Sequence, residues 1–360
     1  MQLAHLPTPC LVLDRPTLHR NADRMRARAT ALGVSLRPHL KTAKSAAVAE
    51  VAMAGGGAAV STLREAEYFG AAGIRDLVWA VCVPPGKLER TAALVATGVD
   101  LILLTDDVHV ARAIASHEAP MRALIEIDSG GRRTGVPPDG PALLEIADAL
   151  GARSAGVLTH AGHSYGCVGP SAIAEVAEQE RSSAVAAARR LRDAGFPCPT
   201  VSVGSTPTAV HAAHLDGATE LRPGAYVFMD LFQAAVGVCA VGDIAISVLS
   251  TVISRQGDQV VLDAGGLALS KDRSTAGTPH DAGYGLLCDL HGQVLPEAPR
   301  IAEVHQEHGL VPRAPAGLSV GDRVRILPNH ACMTAAAYDE YWVVDGGTAV
   351  ADRWGRCNGW

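Results

Sequence analysis

The chain of 360 residues is long enough for two domains, or for one large barrel with an appendage. A hydrophobic share of 48% against 19% charged predicts a globular protein with a substantial core, and a net charge of −6 gives no attraction for nucleic acid or an anionic membrane. No apolar run is long enough to span a bilayer, Met1–Leu13 lacks the pattern of a secretory leader, and the 8 cysteines form no Cys-x-x-Cys pair, so reduced thiols in a cytoplasmic protein are predicted.

Short apolar, β-prone runs alternate with Ala/Arg/Glu-rich helical stretches as far as about residue 230. The runs are Cys10–Asp14, Ser35–His39, Ala58–Ser61, Leu77–Val81, Leu101–Thr105, Ala123–Asp128, Ala155–His160, Val201–Gly204 and Glu220–Phe228. Between them, Pro16–Leu32, Ser45–Ala54, Leu63–Ala72, Pro85–Thr97 and Ser171–Ala194 are predicted helices. Alternation of this kind predicts parallel β/α units, and eight of them close a barrel. Cys10–Asp14 precedes the regular pattern and ends in no polar cluster, so it is the odd strand out. An open doubly wound sheet is the competing architecture.

Past Gly237 the texture changes. Ile246–Arg255, Gln259–Ala264, Arg300–Glu307, Arg323–Leu327 and Tyr341–Asp345 are predicted strands separated by Gly/Pro-rich turns. The expectation is therefore an α/β fold: a TIM-like (β/α)8 barrel over residues 15–235, followed by a β-rich domain over 236–360 that residues 1–14 join.

A β/α barrel carries its chemistry at the carboxyl ends of its strands. Those ends hold His39 and Lys41; Ser61 and Thr62; Asp128 with Arg132 and Arg133; His160 with His163 and Tyr165; Gly204-Ser205-Thr206; and Arg222 with Gly224-Ala225. Lys41 falls on a predicted strand-to-helix turn between Arg37 and Lys44, where cationic neighbours would depress its pKa and make it nucleophilic toward an aldehyde. Gly204-Ser205-Thr206 and the next strand end, Gly224-Ala225, suit a phosphate cradle. A phosphate site opposite such a lysine points to pyridoxal 5′-phosphate. The plainer alternatives are a helix cap at Ser205, hydrogen-bonded core packing of His160, His163 and Tyr165, and a structural ion pair between Asp128 and Arg133.

In Ile326-Leu327-Pro328-Asn329-His330-Ala331-Cys332, the imidazole and the thiol are two residues apart. In an extended segment both face one side and can share an ion. Nitrogen with sulfur favours zinc over manganese or magnesium, and two protein ligands leave positions open for water or substrate.

Together, Arg37–Lys44, Asp128–Gly135, His160–Tyr165, Arg222–Tyr226 and His330–Cys332 resemble the D-serine dehydratase/D-threonine aldolase family, pyridoxal-phosphate enzymes of the alanine racemase fold. The resemblance covers nearly the whole chain in the family's order. It implies that Lys41 holds the cofactor, that Arg222 faces its pyridine nitrogen, and that Ser205, Thr206, Gly224 and Ala225 contact its phosphate, with Gly204 beside them in the cofactor site. His39, Arg133, His160 and Tyr165 complete the expected cofactor site. His330 and Cys332 are the expected metal ligands and, with Lys41, the expected catalytic set. Aldolases of the group carry His-x-Asp and dehydratases His-x-Cys, so Cys332 favours dehydration of a D-3-hydroxy amino acid (D-serine, D-threonine or 3-hydroxyaspartate) to a 2-oxo acid and ammonia. Retro-aldol cleavage to glycine and an aldehyde is the alternative, and a non-catalytic pyridoxal-phosphate-binding protein is a third reading. A homodimer is implied too. Arg132, Arg133 and Lys271 are the cations available to a second substrate carboxylate. One position departs from the pattern: the family often has His where this chain has Ala43.

Overall fold

In a computed structural model that describes residues 1–53 and 55–360, the chain packs as two compact units. One comprises Arg24–Lys41, Ala52–Gly224 and Gly359–Trp360; the other comprises Met1–Asp23, Thr42–Val51 and Ala225–Asn358. The predicted helix end at Ala54 lies outside the described residues.

The first unit is a parallel barrel. Strand β1 (Cys10–Asp14) stands apart from it. The barrel strands are β2 (Ser35–Leu36), β3 (Ala58–Val60), β4 (Asp76–Trp79), β5 (Asp100–Thr105), β6 (Arg122–Ile127), β7 (Ser154–Thr159), β8 (Thr200–Val203) and β9 (Glu220–Leu221), in the sheet order β2-β9-β8-β7-β6-β5-β4-β3. A parallel bridge between His39 and Ala59 closes the ring, with Leu40 donating its N–H to the Ala59 carbonyl at 2.8 Å. Strands flanked by helices need apolar side chains on both faces, and β5 is buried at every position after Asp100. Ala59, Val78, Leu104, Leu124 and Leu158 form a core cluster drawn from five different strands.

Two predicted strands are shorter than expected. The run from Ser35 contributes two residues and then only the His39 bridge, because Pro38 offers no N–H to a ladder. The run from Glu220 stops at Leu221, ahead of Pro223, and Ala225–Val227 is a 3-10 turn. Arg222 still donates its N–H to the Val203 carbonyl at 2.8 Å, so its register on β8 is kept.

The second unit is a sheet of nine strands: β1 with β10 (Ile246–Gln256), β11 (Gln259–Leu262), β12 (Gly285–Cys288), β13 (Glu303–Val304), β14 (Gly309–Val311), β15 (Arg323–Pro328), β16 (Glu340–Val344) and β17 (Val350–Gly355). Strand β1 pairs here, antiparallel to β10 and parallel to β16. Strands β12, β14 and β17 escaped the sequence reading. The first two are short, and Val350–Gly355 is exposed or half-buried throughout, so it shows no apolar alternation.

Candidate active site

At the barrel mouth, Lys41 sits on the turn after the His39 bridge, its backbone N–H 3.4 Å from His39 Nδ1. Arg37, the cation expected to act on Lys41, is itself paired. Its guanidinium is bound by Asp76 (2.7 Å) and Glu220 (2.8 Å), which balance its charge and hold its own pKa up against burial. Next to Lys41, two imidazoles are kept neutral. Burial, then the cations Lys41 and Arg222, hold His39 well below the usual histidine range. The same causes, joined by Arg133, lower His160 to about 3. His160 Nδ1 lies 3.3 Å from the Gly204 carbonyl, and its ring is 6.4 Å from that of Tyr165.

Arg222 is 3% exposed. Its Nε donates to Ser202 Oγ at 2.6 Å and its Nη2 to the Thr159 carbonyl, so the fork is tied to the ends of β7 and β8. Burial lowers its pKa, opposed by the fields of Glu220, Glu180 and Glu126.

Gly204 has φ +120°, and a Cβ there would come within 2.7 Å of Leu221 Cδ1 and 3.0 Å of the Arg222 nitrogen. Only glycine lets β8 approach β9 this closely. Beyond it, Ser205 caps a short helix, Thr206–His211, in a reciprocal capping box with Thr208. Ser164 Oγ lies 3.1 Å from Ser205 Oγ, which gathers buried hydroxyls at this strand end. The cap that served as the plainer alternative is therefore real, and the hydroxyl cluster stands beside it. Gly224 ends the barrel unit's last long segment, and Ala225 opens that of the sheet unit.

Some strand-end residues have other duties. Thr62 caps the helix Leu63–Ala71 by accepting the Glu65 N–H, and Glu65 returns a bond to the Ser61 N–H at 2.8 Å. Asp128 Oδ1 accepts the backbone N–H groups of Gly130 (2.8 Å) and Arg132 (3.1 Å), shaping its own loop rather than pairing with the Arg133 guanidinium. His163 Nε2 is 3.4 Å from Gln179 Oε1.

Sequence reasoning missed two features of this mouth. Glu180, 1% exposed on the helix Pro170–Asp193, accepts the Ala161 N–H at 2.8 Å and hydrogen-bonds Thr208 and the Gly204 backbone. It thereby braces the ends of β7 and β8. A signal was present: a lone carboxylate interrupts the buried stripe Ile173, Ala177, Glu180, Ala184, Ala187, Leu191. The second feature is Cys82, Asp106 and Glu126, whose donor atoms lie within 4.8 Å of one another. The Cys82 thiol donates to Glu126 at 3.0 Å, while Thr134 and the Gly135 N–H satisfy Glu126 and Asp106. Burial, reinforced by both carboxylates, pushes the thiol pKa up, so Cys82 keeps its proton and donates it within this hydrogen-bonded group.

In the sheet unit, β15 ends at Pro328, and the chain does not stay extended as expected. His330 (φ −138°, ψ 105°) is the N-cap of a helix, Ala331–Ala335, that carries Cys332 in its first turn. The turn forms because the buried Asp230 carboxylate accepts the Ala331 N–H at 2.9 Å, satisfying a donor that the helix start leaves free. The two side chains nevertheless meet: His330 hydrogen-bonds Cys332 as well as Asp272, whose Oδ2 is 2.7 Å from Nδ1. Burial alone would lower His330, but the bonds to Asp272 and Cys332 outweigh it and raise its pKa to about 10. The bond to His330 likewise lowers Asp272 to about 2. Asp272, with Cys332 beside it, thus favours a positive charge at this imidazole.

The chain matches the family "Alanine racemase, N-terminal domain" over residues 13–231 and "Putative serine dehydratase domain" over residues 245–344. It is 46% identical to D-threo-3-hydroxyaspartate dehydratase of Delftia sp. (strain HT23), over 99% of each chain. The solved structure of that protein superposes with a TM-score of 0.96 and complete coverage of both chains, and a cysteine-to-alanine variant of it was solved in a metal-free form. D-threonine aldolase of Arthrobacter sp. is 31% identical over 98% of this chain and 92% of its own, and D-serine dehydratase of Dictyostelium discoideum is 26% identical over 96% and 95%. Matches of this extent, through both the barrel and the sheet, place the chain in the D-serine dehydratase/D-threonine aldolase family of the alanine racemase fold.

Proposed function

We propose that this protein eliminates water from a D-3-hydroxy amino acid, 3-hydroxyaspartate foremost, to give a 2-oxo acid and ammonia. The observation that carries the reading is the sulfur of Cys332 hydrogen-bonded to His330, the pairing that distinguishes dehydratases from aldolases, in a chain 46% identical to a hydroxyaspartate dehydratase.

The barrel residues fit pyridoxal 5′-phosphate. An amine, two imidazoles held neutral, a buried guanidinium and a hydroxyl cluster surround one mouth. Lys41 would hold the cofactor, Ser205, Thr206 and the Gly204, Gly224 and Ala225 backbones its phosphate, and His39, Arg133, His160 and Tyr165 its remaining edges. His330 and Cys332 fit a soft divalent ion such as zinc. When bound, the cofactor supplies a sink for the electrons of a Cα carbanion, and the ion a Lewis acid for the β-hydroxyl.

The chain's own residues do the rest. The Lys41 amine takes the proton from Cα. Arg222, fixed by Ser202 and Thr159, keeps a cation in place without yielding a proton easily, and so restrains how far charge is drawn from Cα. Neutral His39 and His160 add no competing charge. Arg132, Arg133 and Lys271 are the cations available to a second substrate carboxylate. The enzyme would act as a homodimer.

A product assay tests the reading. The purified protein is offered D-serine, D-threonine and D-threo-3-hydroxyaspartate with and without zinc, and ammonia, 2-oxo acid and glycine are measured. Ammonia and 2-oxo acid in equal amounts are expected, with 3-hydroxyaspartate turned over fastest. Glycine with an aldehyde would establish the retro-aldol reaction instead, and no product from any of the three would leave a cofactor carrier.

A further inference from the structure

The segment carrying His330 and Cys332 is pinned by a loop that no strand or helix pattern in the sequence marks out. Asp272, in the short connection after the helix Gly266–Leu269, reaches this segment twice. Its carboxylate Oδ2 is 2.7 Å from His330 Nδ1, and its backbone carbonyl accepts Asn329 Nδ2 at 2.7 Å. Asp272 is itself held, since Oδ1 accepts both the N–H (2.7 Å) and the hydroxyl of Ser274. Two residues past Cys332, Thr334 donates to the Leu269 carbonyl at 2.9 Å, so the stretch from Leu269 to Asp272 grips both sides of the ligand pair.

An ionised carboxylate only accepts hydrogen bonds. The 2.7 Å contact therefore requires a proton on Nδ1, so the nitrogen that can give up its proton to an ion and bind it is Nε2. We propose that Asp272 is the positioning residue of the metal pair: it fixes the tautomer and the plane of His330 so that Nε2 and the Cys332 sulfur converge on one ion. This inference rests on the reading of His330 and Cys332 as ligands. A carboxylate behind a ligating imidazole also makes the ring a stronger donor, and loss of such a partner costs about 10–100-fold in metal affinity.

The test is the zinc dissociation constant of the full chain, read by competition with a chromogenic chelator for wild type, Asp272→Asn, Asp272→Ala and Cys332→Ala. Asp272→Ala is expected to weaken zinc about 10–100-fold. Asp272→Asn keeps an acceptor oxygen and loses the charge, so it should fall between Asp272→Ala and wild type, with an unchanged melting temperature in the metal-stripped state. Zinc affinity within twofold of wild type in both Asp272 variants, while Cys332→Ala loses the ion, overturns the positioning role alone. A wild-type protein that takes up no zinc overturns the ligand reading itself. Should Asp272→Ala not fold, Asp272→Asn decides: wild-type affinity combined with a lowered metal-free melting temperature would make Asp272 a structural residue only.

Discussion

The Thr42 hydroxyl lies 3.2 Å from the sulfur of Cys332, across 290 residues of chain. Thr42 follows Lys41 directly and is fully buried. Its hydroxyl can donate to a thiolate, and a net hydrogen bond of this kind contributes about 1 kcal/mol. Thr42→Val keeps the volume and removes the donor. The expected result is zinc affinity reduced about fivefold, with Lys41 still able to bind the cofactor; chelator competition and visible absorbance measure the two separately.

Lys41→Ala removes the only amine assigned to the cofactor. Dehydratase activity should fall below detection. After incubation with pyridoxal phosphate and reduction by borohydride, intact-mass measurement should show the cofactor's mass on wild type and not on the variant. A covalent adduct on the variant at wild-type yield would assign the cofactor to another lysine.

Stripping the metal should stop elimination and spare cofactor binding, because the proposed ligands His330 and Cys332 and the residues of the barrel mouth are separate sets of side chains. Dialysis against a chelator is expected to abolish ammonia release while leaving the borohydride-reducible cofactor in place, and zinc should restore turnover. Full activity after exhaustive removal would contradict the role given to His330 and Cys332.

Stability should fall with acid through the barrel histidines. Burial, with the cations around it, lowers His160 to about 3 in the folded chain, whereas an unfolded histidine titrates near its ordinary value of about 6.5. Between those values the unfolded state binds a proton that the folded state refuses. Unfolding is therefore favoured by up to about 1.4 kcal/mol for each pH unit of descent, and the slope vanishes below about pH 3. His160→Gln should flatten this dependence, which urea unfolding at pH 7, 6 and 5 would reveal.

Glu180 offers a test of the brace between β7 and β8. Glu180→Ala leaves the Ala161 N–H without its acceptor and opens a cavity, at a cost of about 2–3 kcal/mol, whereas Glu180→Gln retains an acceptor oxygen and should cost less. Urea midpoints of the two variants provide the comparison. Pyridoxal-phosphate affinity should fall for the alanine variant, because Gly204 and its hydroxyl neighbours lose their backing.

Much of this protein could be read from its residues in order. Alternating apolar runs and helical stretches specify β/α units because a strand covered on both faces must be apolar throughout, as β5 is. The early strand Cys10–Asp14 stands out from that alternation, and it pairs with β10 and β16. That Lys41, His160, Gly204, Ser205 and Arg222 lie at the ends of barrel strands was legible because the alternation of strands and helices is visible along one dimension. What the order of residues left open are contacts between distant segments. Asp272 and Asp230 meet the His330 segment across 58 and 101 residues, and no local periodicity encodes either meeting. Arg37 reads in sequence as one of two cations beside Lys41, and only the fold brings Asp76 and Glu220 to its guanidinium. The helix at Ala331 replaced an expected extended segment because a distant carboxylate satisfied its first free N–H. Local sequence sets which backbone geometry is favoured; the environment of each charge is set by segments that only the tertiary fold brings near it.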